Sequence, residues 1–76
     1  MMVREHDSVV LARDLPEYGL KRGDVGTVVM VHRAGGYEVE FMTLDGETVA
    51  VTSLSADEVR SIARREIAHA RGIEAR

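Results

Sequence analysis

The alternation of apolar and polar positions over the first two-thirds of the chain indicates short strands separated by turns. In the clearest case Tyr37, Val39 and Phe41 point to one side, and Glu38 and Glu40 point to the other. Gly-Gly and Asp-Gly pairs between the apolar runs mark hairpin turns. The predicted strands are Asp7–Ala12, Asp24–His32, Tyr37–Met42 and Thr48–Ser53.

Single residues refine this pattern. Gly26, near the start of the second strand, predicts a bulge or a bend. Leu15 and Leu20, in the long loop before it, are expected to fold over one end of the core. Val49 and Val51 are expected to face inward from the fourth strand. Residues 1–6 are expected to form a frayed lead-in.

The end of the chain carries a helical signal. Ser55 and Glu58 have the spacing of a capping box. Apolar residues then recur at helical spacing, which predicts a helix from about Ala56 to Arg71. These positions are Val59, Ile62, Ala63, Ile67 and Ala70.

A family resemblance enters at the second strand. The segment Gly23–Val29, after a long loop and before Gly-centred hairpins, resembles the KOW type of SH3-like barrel seen in ribosomal proteins and transcription elongation factors. The residues that carry this resemblance are Gly23, Asp24, Gly26, Val28 and Val31. Residues 7–62 also resemble a family of small uncharacterised bacterial proteins. The matching segments are Asp14-Leu15-Pro16, Gly19-Leu20, Gly23–Val29, Tyr37–Phe41 and Asp45-Gly46.

The resemblance implies a small all-β domain, a five-stranded antiparallel SH3-like barrel spanning about residues 7–63, with a C-terminal extension at 64–76. It makes residues 56–58 a single 3₁₀ turn and Val59–Ile62 a fifth strand, which competes with the helix predicted from spacing. We expect the strand, and a helix after Arg64 stays open. No established activity comes with the resemblance.

In KOW-like barrels the second strand bends, and this implies that Val28 and Val31 point inward while Val29 and Met30 point outward. Two adjacent outward apolar residues need a cover. The cover would be the C-terminal segment or another protein chain. The predicted partner-binding residues are therefore Val29, Met30, Ile67 and Ala70.

Composition narrows the class of protein. The chain has 76 residues, enough for one domain, and contains no cysteine. Charged residues stand near its start without an apolar leader, so we expect a cytoplasmic protein with no membrane span. The body is acidic and the end is basic, which favours a basic tail that lies on its own acidic body or on a sister subunit. A nucleic-acid contact is the alternative. Its candidate residues are Arg60, Arg64, Arg65 and Arg71.

Catalytic and metal-binding patterns are missing from the sequence. His6, His32 and His69 lack the spacing of metal ligands, and no cysteine supports them. We therefore expect no enzyme, no metal and no cofactor. The leading hypothesis is a small protein–protein interaction module, an antitoxin-like or accessory partner of itself or of another chain. The alternative is a KOW-like module that binds RNA or the ribosome through the basic end.

Overall fold

The computed structural model describes residues 3–73, which form one antiparallel sheet of five strands in the order β4-β3-β2-β1-β5. The arrangement is all-β and consistent with a small SH3-like fold. Residues 1–2 of the predicted lead-in and residues 74–76 of the predicted C-terminal extension lie outside the described residues. The strands are β1 Ser8–Leu11, β2 Val25–Val31, β3 Tyr37–Met42, β4 Thr48–Leu54 and β5 Val59–Ser61.

The sheet is open. β5 pairs with β1, β4 pairs with β3, and no strand pairing joins β4 to β5 within residues 3–73. These two strands are therefore the edges of the sheet, and the predicted barrel is not closed by a complete ring of hydrogen bonds.

The core lies on one face of the sheet and is aliphatic. Val9, Val28 and Val39 are completely buried, and Leu11 is almost so. Full burial of such side chains contributes about 1.5–3 kcal/mol each. The β1–β2 loop covers one end of this core, as predicted, because Leu15 and Leu20 are both buried and the Leu15 N–H donates to the Leu20 carbonyl at 2.9 Å.

The lead-in prediction is wrong for the residues that the structure describes. Val3 is buried and belongs to the core cluster. The His6 N–H donates to the Val28 carbonyl at 2.7 Å, and the Val28 N–H donates to the Asp7 carbonyl at 2.9 Å. Residues 3–7 therefore extend the contact of β1 with β2.

The bulge in β2 lies at Val29, not at Gly26. The pairing with β3 shifts between Val28 and Met30, whereas Gly26 pairs regularly with Val9. Gly26 is required by packing, because a Cβ atom there would lie 2.6 Å from Val39 Cγ1. The bulge predicted at Gly26 is therefore wrong, and the constraint on this position comes from packing.

Two predictions of burial are also wrong. Val31 lies opposite Tyr37 and therefore on the core side of the sheet, but it is 40% exposed because it occupies the last position of β2, beside an exposed turn. Val51 is 51% exposed, because the β3–β4 pairing shifts at Val49 and reverses the side to which later residues point. Leu54 is consequently the fully buried residue of β4.

The capping-box residues form a single turn without a helix. The Ser55 N–H donates to Glu58 Oε1 at 2.9 Å, and the Glu58 N–H donates to the Ser55 carbonyl at 3.0 Å. Val59 then enters β5 and is buried opposite Leu11. The helix predicted from spacing is wrong, and no helix follows Arg64 within the described residues. Pairing with β1 outweighs the local helical signal.

Candidate partner-binding surface

The side of the sheet away from the core carries a mixed apolar and acidic surface, which we call the outer face. One row across β2, β3 and β4 contains Met30, Glu38 and Ser53. The next row contains Thr27, Glu40 and Val51. Met30 and Val51 are each about half exposed, so apolar side chains flank two carboxylates on a surface open to solvent.

The carboxylates of the outer face are held by neighbouring side chains. The Ser53 hydroxyl donates to Glu38 Oε2 at 2.7 Å, and His32 Nε2 lies 3.1 Å from the same oxygen. The hydrogen bond from Ser53, together with the contact from His32, lowers the pKa of Glu38. The Thr48 hydroxyl donates to Glu40 Oε2 at 2.8 Å. Glu38 is therefore ionised at neutral pH, and its position is fixed.

The bulge presents two apolar residues in succession. Val29 is 40% exposed and Met30 is 50% exposed, so both are outward, as predicted. Val28, immediately before them, is completely buried. One extra residue in the strand thus allows two consecutive side chains to reach solvent while the strand stays in the sheet.

The tail, residues 62–73, is attached to the domain at two points. At the far point Arg71 binds the turn before β2, with Nε 2.9 Å from Asp24 Oδ1 and Nη2 2.5 Å from Oδ2. Arg71 Nη2 also donates to the Gly19 carbonyl at 3.0 Å. Burial opposes ionisation of Asp24, but the Arg71 contacts and the Lys21 N–H outweigh it and lower its pKa.

At the near point Arg60 holds the beginning of the tail. Its two terminal nitrogens donate to the two carboxylate oxygens of Glu66 at 2.9 and 2.7 Å. The Ala63 N–H donates to Glu66 Oε1 at 2.6 Å. The hydrogen bonds from Arg60, and then from Ala63, lower the pKa of Glu66 from its ordinary value of 4.5 to about 2.

One buried residue, Val10, lies outside the core cluster. Val10 pairs with Arg60 on one side and Val25 on the other, and it points away from the core. It is nevertheless only 7% exposed. The two attachment points of the tail lie beside the strand partners of Val10, one at Arg60 itself and one at Asp24, which precedes Val25.

The tail does not cover Val29 and Met30. Ile67 is 93% exposed. Ala70 lines a cleft of about 380 Å³ between the tail and the β3–β4 hairpin, beside Val25 and Met42. Val25 lies five strand positions from Met30, about 16 Å along β2. The four predicted partner-binding residues therefore do not form one surface.

The predicted nucleic-acid residues divide into two pairs. Arg60 and Arg71 are both engaged with carboxylates of the chain itself. Arg64 and Arg65 make no hydrogen bond or ion pair with the described part of the chain, and Arg65 has a positive φ of 60°. Half of the predicted basic surface is thus neutralised internally.

No cluster of three or more histidine, cysteine, aspartate or glutamate side chains with metal-binding geometry occurs in residues 3–73. Across the same residues, no helix has the length and apolar character that a membrane crossing requires.

Comparison with known proteins assigns a family. Residues 5–61 match the family model described as a domain of unknown function, DUF4926. The match covers more than half of the chain, from just before β1 to the end of β5, and the chain belongs to this family. No curated protein and no solved structure matches the chain.

Sequence reasoning missed two features of the surface. It did not identify β4 as a sheet edge, although residues 48–54 contain no charge and no proline, an unusual composition for an edge. The acidic body was expected to receive the basic tail, but the specific pairing of Asp24 with Arg71 was not identified, because the two residues are 47 positions apart and no local pattern links them.

Proposed function

We propose that this domain is a non-enzymatic protein–protein interaction module that binds its partner through the outer face. The observation that carries the proposal is the exposure of Met30 and Val51 on either side of Glu38 and Glu40. A surface of this kind suits a partner with apolar side chains and basic residues, because each carboxylate gains a complementary charge on docking. An antitoxin-like or accessory role in the cytoplasm is consistent with such a surface.

RNA contact is the competing function, suggested by the resemblance to KOW-type barrels. Binding to a phosphate backbone needs several free cations and is strengthened by exposed aromatic rings. Of the candidate arginines, Arg60 and Arg71 are already paired with carboxylates, and Tyr37 is buried. The half-buried carboxylates of the outer face, Glu38 and Glu40, repel a polyanion. We therefore propose protein binding, and not RNA binding, as the function.

The experiment that tests this proposal is capture of partners from extracts of the source cells by the tagged full chain, with and without nuclease. We expect a stoichiometric protein partner that survives nuclease and is lost with Met30→Asp. Ile62→Asp is the matched control, because Ile62 is an apolar residue just after β5, at the opposite edge of the sheet, and is 50% exposed, like Met30. It introduces the same charge away from the outer face, and it should leave capture unchanged.

Two results would overturn the proposal. One is capture of ribosomal components that disappears with nuclease and with the double substitution Arg64→Glu and Arg65→Glu. The other is identical capture by the wild-type chain and by Met30→Asp, with Met30→Asp shown to be folded by its thermal unfolding.

A further inference from the structure

The edge formed by β4 is long, and among the described residues the β1–β2 loop reaches it through a hydrogen bond from the Thr52 hydroxyl to the Tyr18 hydroxyl at 3.3 Å. β4 has seven residues, and none of them is charged or a proline. Edge strands are usually shortened, charged or covered, because their unpaired backbone groups accept another strand. The opposite edge, β5, shows this protection, since it has three residues and carries Arg60. The two edges therefore differ in their capacity to accept a strand.

The backbone groups that face outward from β4 follow from the hairpin register. The β2–β3 hairpin closes with the His32 N–H donating to the Gly36 carbonyl at 3.0 Å. Antiparallel pairs alternate between hydrogen-bonded and non-hydrogen-bonded. The next residue, Tyr37, therefore directs its backbone groups to β4 and bonds with Leu54, its partner there.

The same alternation continues along β4. Thr52 faces β3, whereas Val51 and Ser53 direct their N–H and C=O groups away from the sheet. No backbone hydrogen bond outside the ladder involves Val51 or Ser53 in residues 3–73. Val51 is half exposed and Ser53 is exposed, so a strand can approach this edge.

We propose that the β4 edge is a strand-addition site for an extended segment of another protein, with β-branched residues flanked at both ends by basic residues. This inference rests on the proposed function and specifies how the partner docks. Backbone hydrogen bonds to Val51 and Ser53 set the register of the added strand, and every second side chain of that strand lies on the outer face.

The acidic residues at the two ends of β4 indicate that the partner segment carries basic residues. Asp45 and Glu47 precede the strand, and Asp57 and Glu58 follow it. Arg13 pairs with Glu58 at 3.1 Å, which leaves acidic charge in excess at both ends. Basic residues on either side of an incoming strand would meet these carboxylates.

The same charges disfavour a second copy of this chain. An antiparallel pairing of β4 with itself brings the acidic turn before β4 of one copy, with Asp45 and Glu47, towards the acidic turn after β4 of the other, with Asp57 and Glu58. Juxtaposed like charges disfavour such a pairing. A segment of a different protein is therefore the occupant that the edge fits.

The test uses isotope-labelled full-length chain and two synthetic probes. The first probe is a peptide of alternating valine and threonine with a lysine pair at each end, and the second has glutamate pairs instead. We expect the lysine probe to shift the amide signals of Val51 and Ser53 and to slow their hydrogen exchange. We expect the glutamate probe to bind at least about 10-fold more weakly, which is about 1.4 kcal/mol.

Two variants separate backbone pairing from side-chain contact. Val51→Pro removes an outward N–H that the β3–β4 ladder does not use, and a proline is tolerated at such an edge position. It should weaken binding of the lysine probe by about 10-fold or more. Val51→Ala keeps the N–H and should change binding much less. Ser53→Pro repeats the test at the second outward position if Val51→Pro does not fold.

The inference is overturned if the lysine probe shifts signals elsewhere or binds nowhere, if the glutamate probe binds equally well, or if Val51→Ala and Val51→Pro weaken binding alike. Self-association that shifts the Val51 and Ser53 signals without any probe would assign the edge to a second copy and would overturn it too. A captured cellular partner that tolerates Val51→Pro but not Met30→Asp would reject strand addition and retain the proposed function.

Discussion

Arg71 and Asp24, which are 47 residues apart in sequence, form a bidentate ion pair that attaches the tail to the turn before β2. The side chain of Arg71 is 30% exposed and that of Asp24 is 18% exposed, so the pair is partly shielded from water. The Lys21 N–H also donates to Asp24 Oδ2, at 2.8 Å. One aspartate thus orders its own turn and anchors the end of the chain.

Loss of this ion pair should release the tail while the sheet stays folded. We expect Arg71→Ala to accelerate amide exchange in residues 66–73 and to lower the free energy of unfolding by about 1 kcal/mol. For a domain of this size that corresponds to a fall of about 4–8 °C in melting temperature. Arg71→Lys is the control. It keeps the positive charge but cannot make the bidentate contact with the Asp24 carboxylate, so its effect should be intermediate. Unchanged exchange in Arg71→Ala would contradict the assignment of Arg71 as the anchor.

The attachment of the tail should depend on pH in the acidic range. The pKa of Glu66 is lowered to about 2, and that of Asp24 also lies below its ordinary value. A lowered folded-state pKa gives stabilisation that is complete above the ordinary pKa and is lost as pH falls through the folded-state value. We therefore expect the tail signals to change between pH 4.5, the ordinary value for glutamate, and about 2.

Nuclear magnetic resonance of the tail amides measures this titration. The variant Glu66→Gln provides the control, because it should remove the transition at the Arg60 end and leave that at Asp24. A tail whose signals change only above pH 4.5 would contradict the assignment.

Gly26 should tolerate no side chain. A Cβ atom there would lie 2.6 Å from Val39 Cγ1, 2.8 Å from Phe41 Cε1 and 3.0 Å from the Glu40 carbonyl. We expect Gly26→Ala to lower the free energy of unfolding by about 1–3 kcal/mol, because the overpacked core must shift. Gly72→Ala should be nearly neutral, since no atom lies within 4 Å of its added Cβ. Denaturant unfolding of both variants measures the difference, and equal stabilities would refute the packing role of Gly26.

The bulge predicts opposite consequences for two adjacent valines. Val28 is completely buried, so Val28→Ala should cost about 2 kcal/mol of unfolding free energy through lost burial and a residual cavity. Val29 is 40% exposed, and Val29→Ala should change stability by less than about 0.5 kcal/mol. Thermal unfolding of the two variants makes the comparison. A larger loss for Val29→Ala would place the bulge elsewhere in the strand.

The strands could be predicted from sequence because their signals are local. Tyr37–Met42 alternates cleanly, and the glycine turns on either side of it leave little freedom in its boundaries. The inward position of Val49 was predicted correctly, since Val49 packs against the core. That of Val51 could not be predicted, because the unpaired residue Val49 reverses the alternation without any sequence mark. The helical spacing after Ser55 was misleading, because pairing of Val59 with Leu11 is a long-range contact that local propensity does not contain.

The candidate site could be predicted only in part. The outward direction of Val29 and Met30 followed from the resemblance to bent strands in KOW-like barrels. The edge position of β4 depends on the order of strands in the sheet, and the internal pairing of Arg60 and Arg71 depends on the path of the tail. Neither is encoded by residues adjacent in sequence.

The most direct measurement of the central claim is amide hydrogen exchange of the chain alone and in complex with the protein that it captures after nuclease treatment. We predict added protection on β2 and β4, above all at Met30, Val51 and Ser53, with residues 62–73 unchanged. Protection confined to Arg60, Arg64 and Arg65, in a complex that nuclease dissolves, would contradict the account and assign the domain to RNA.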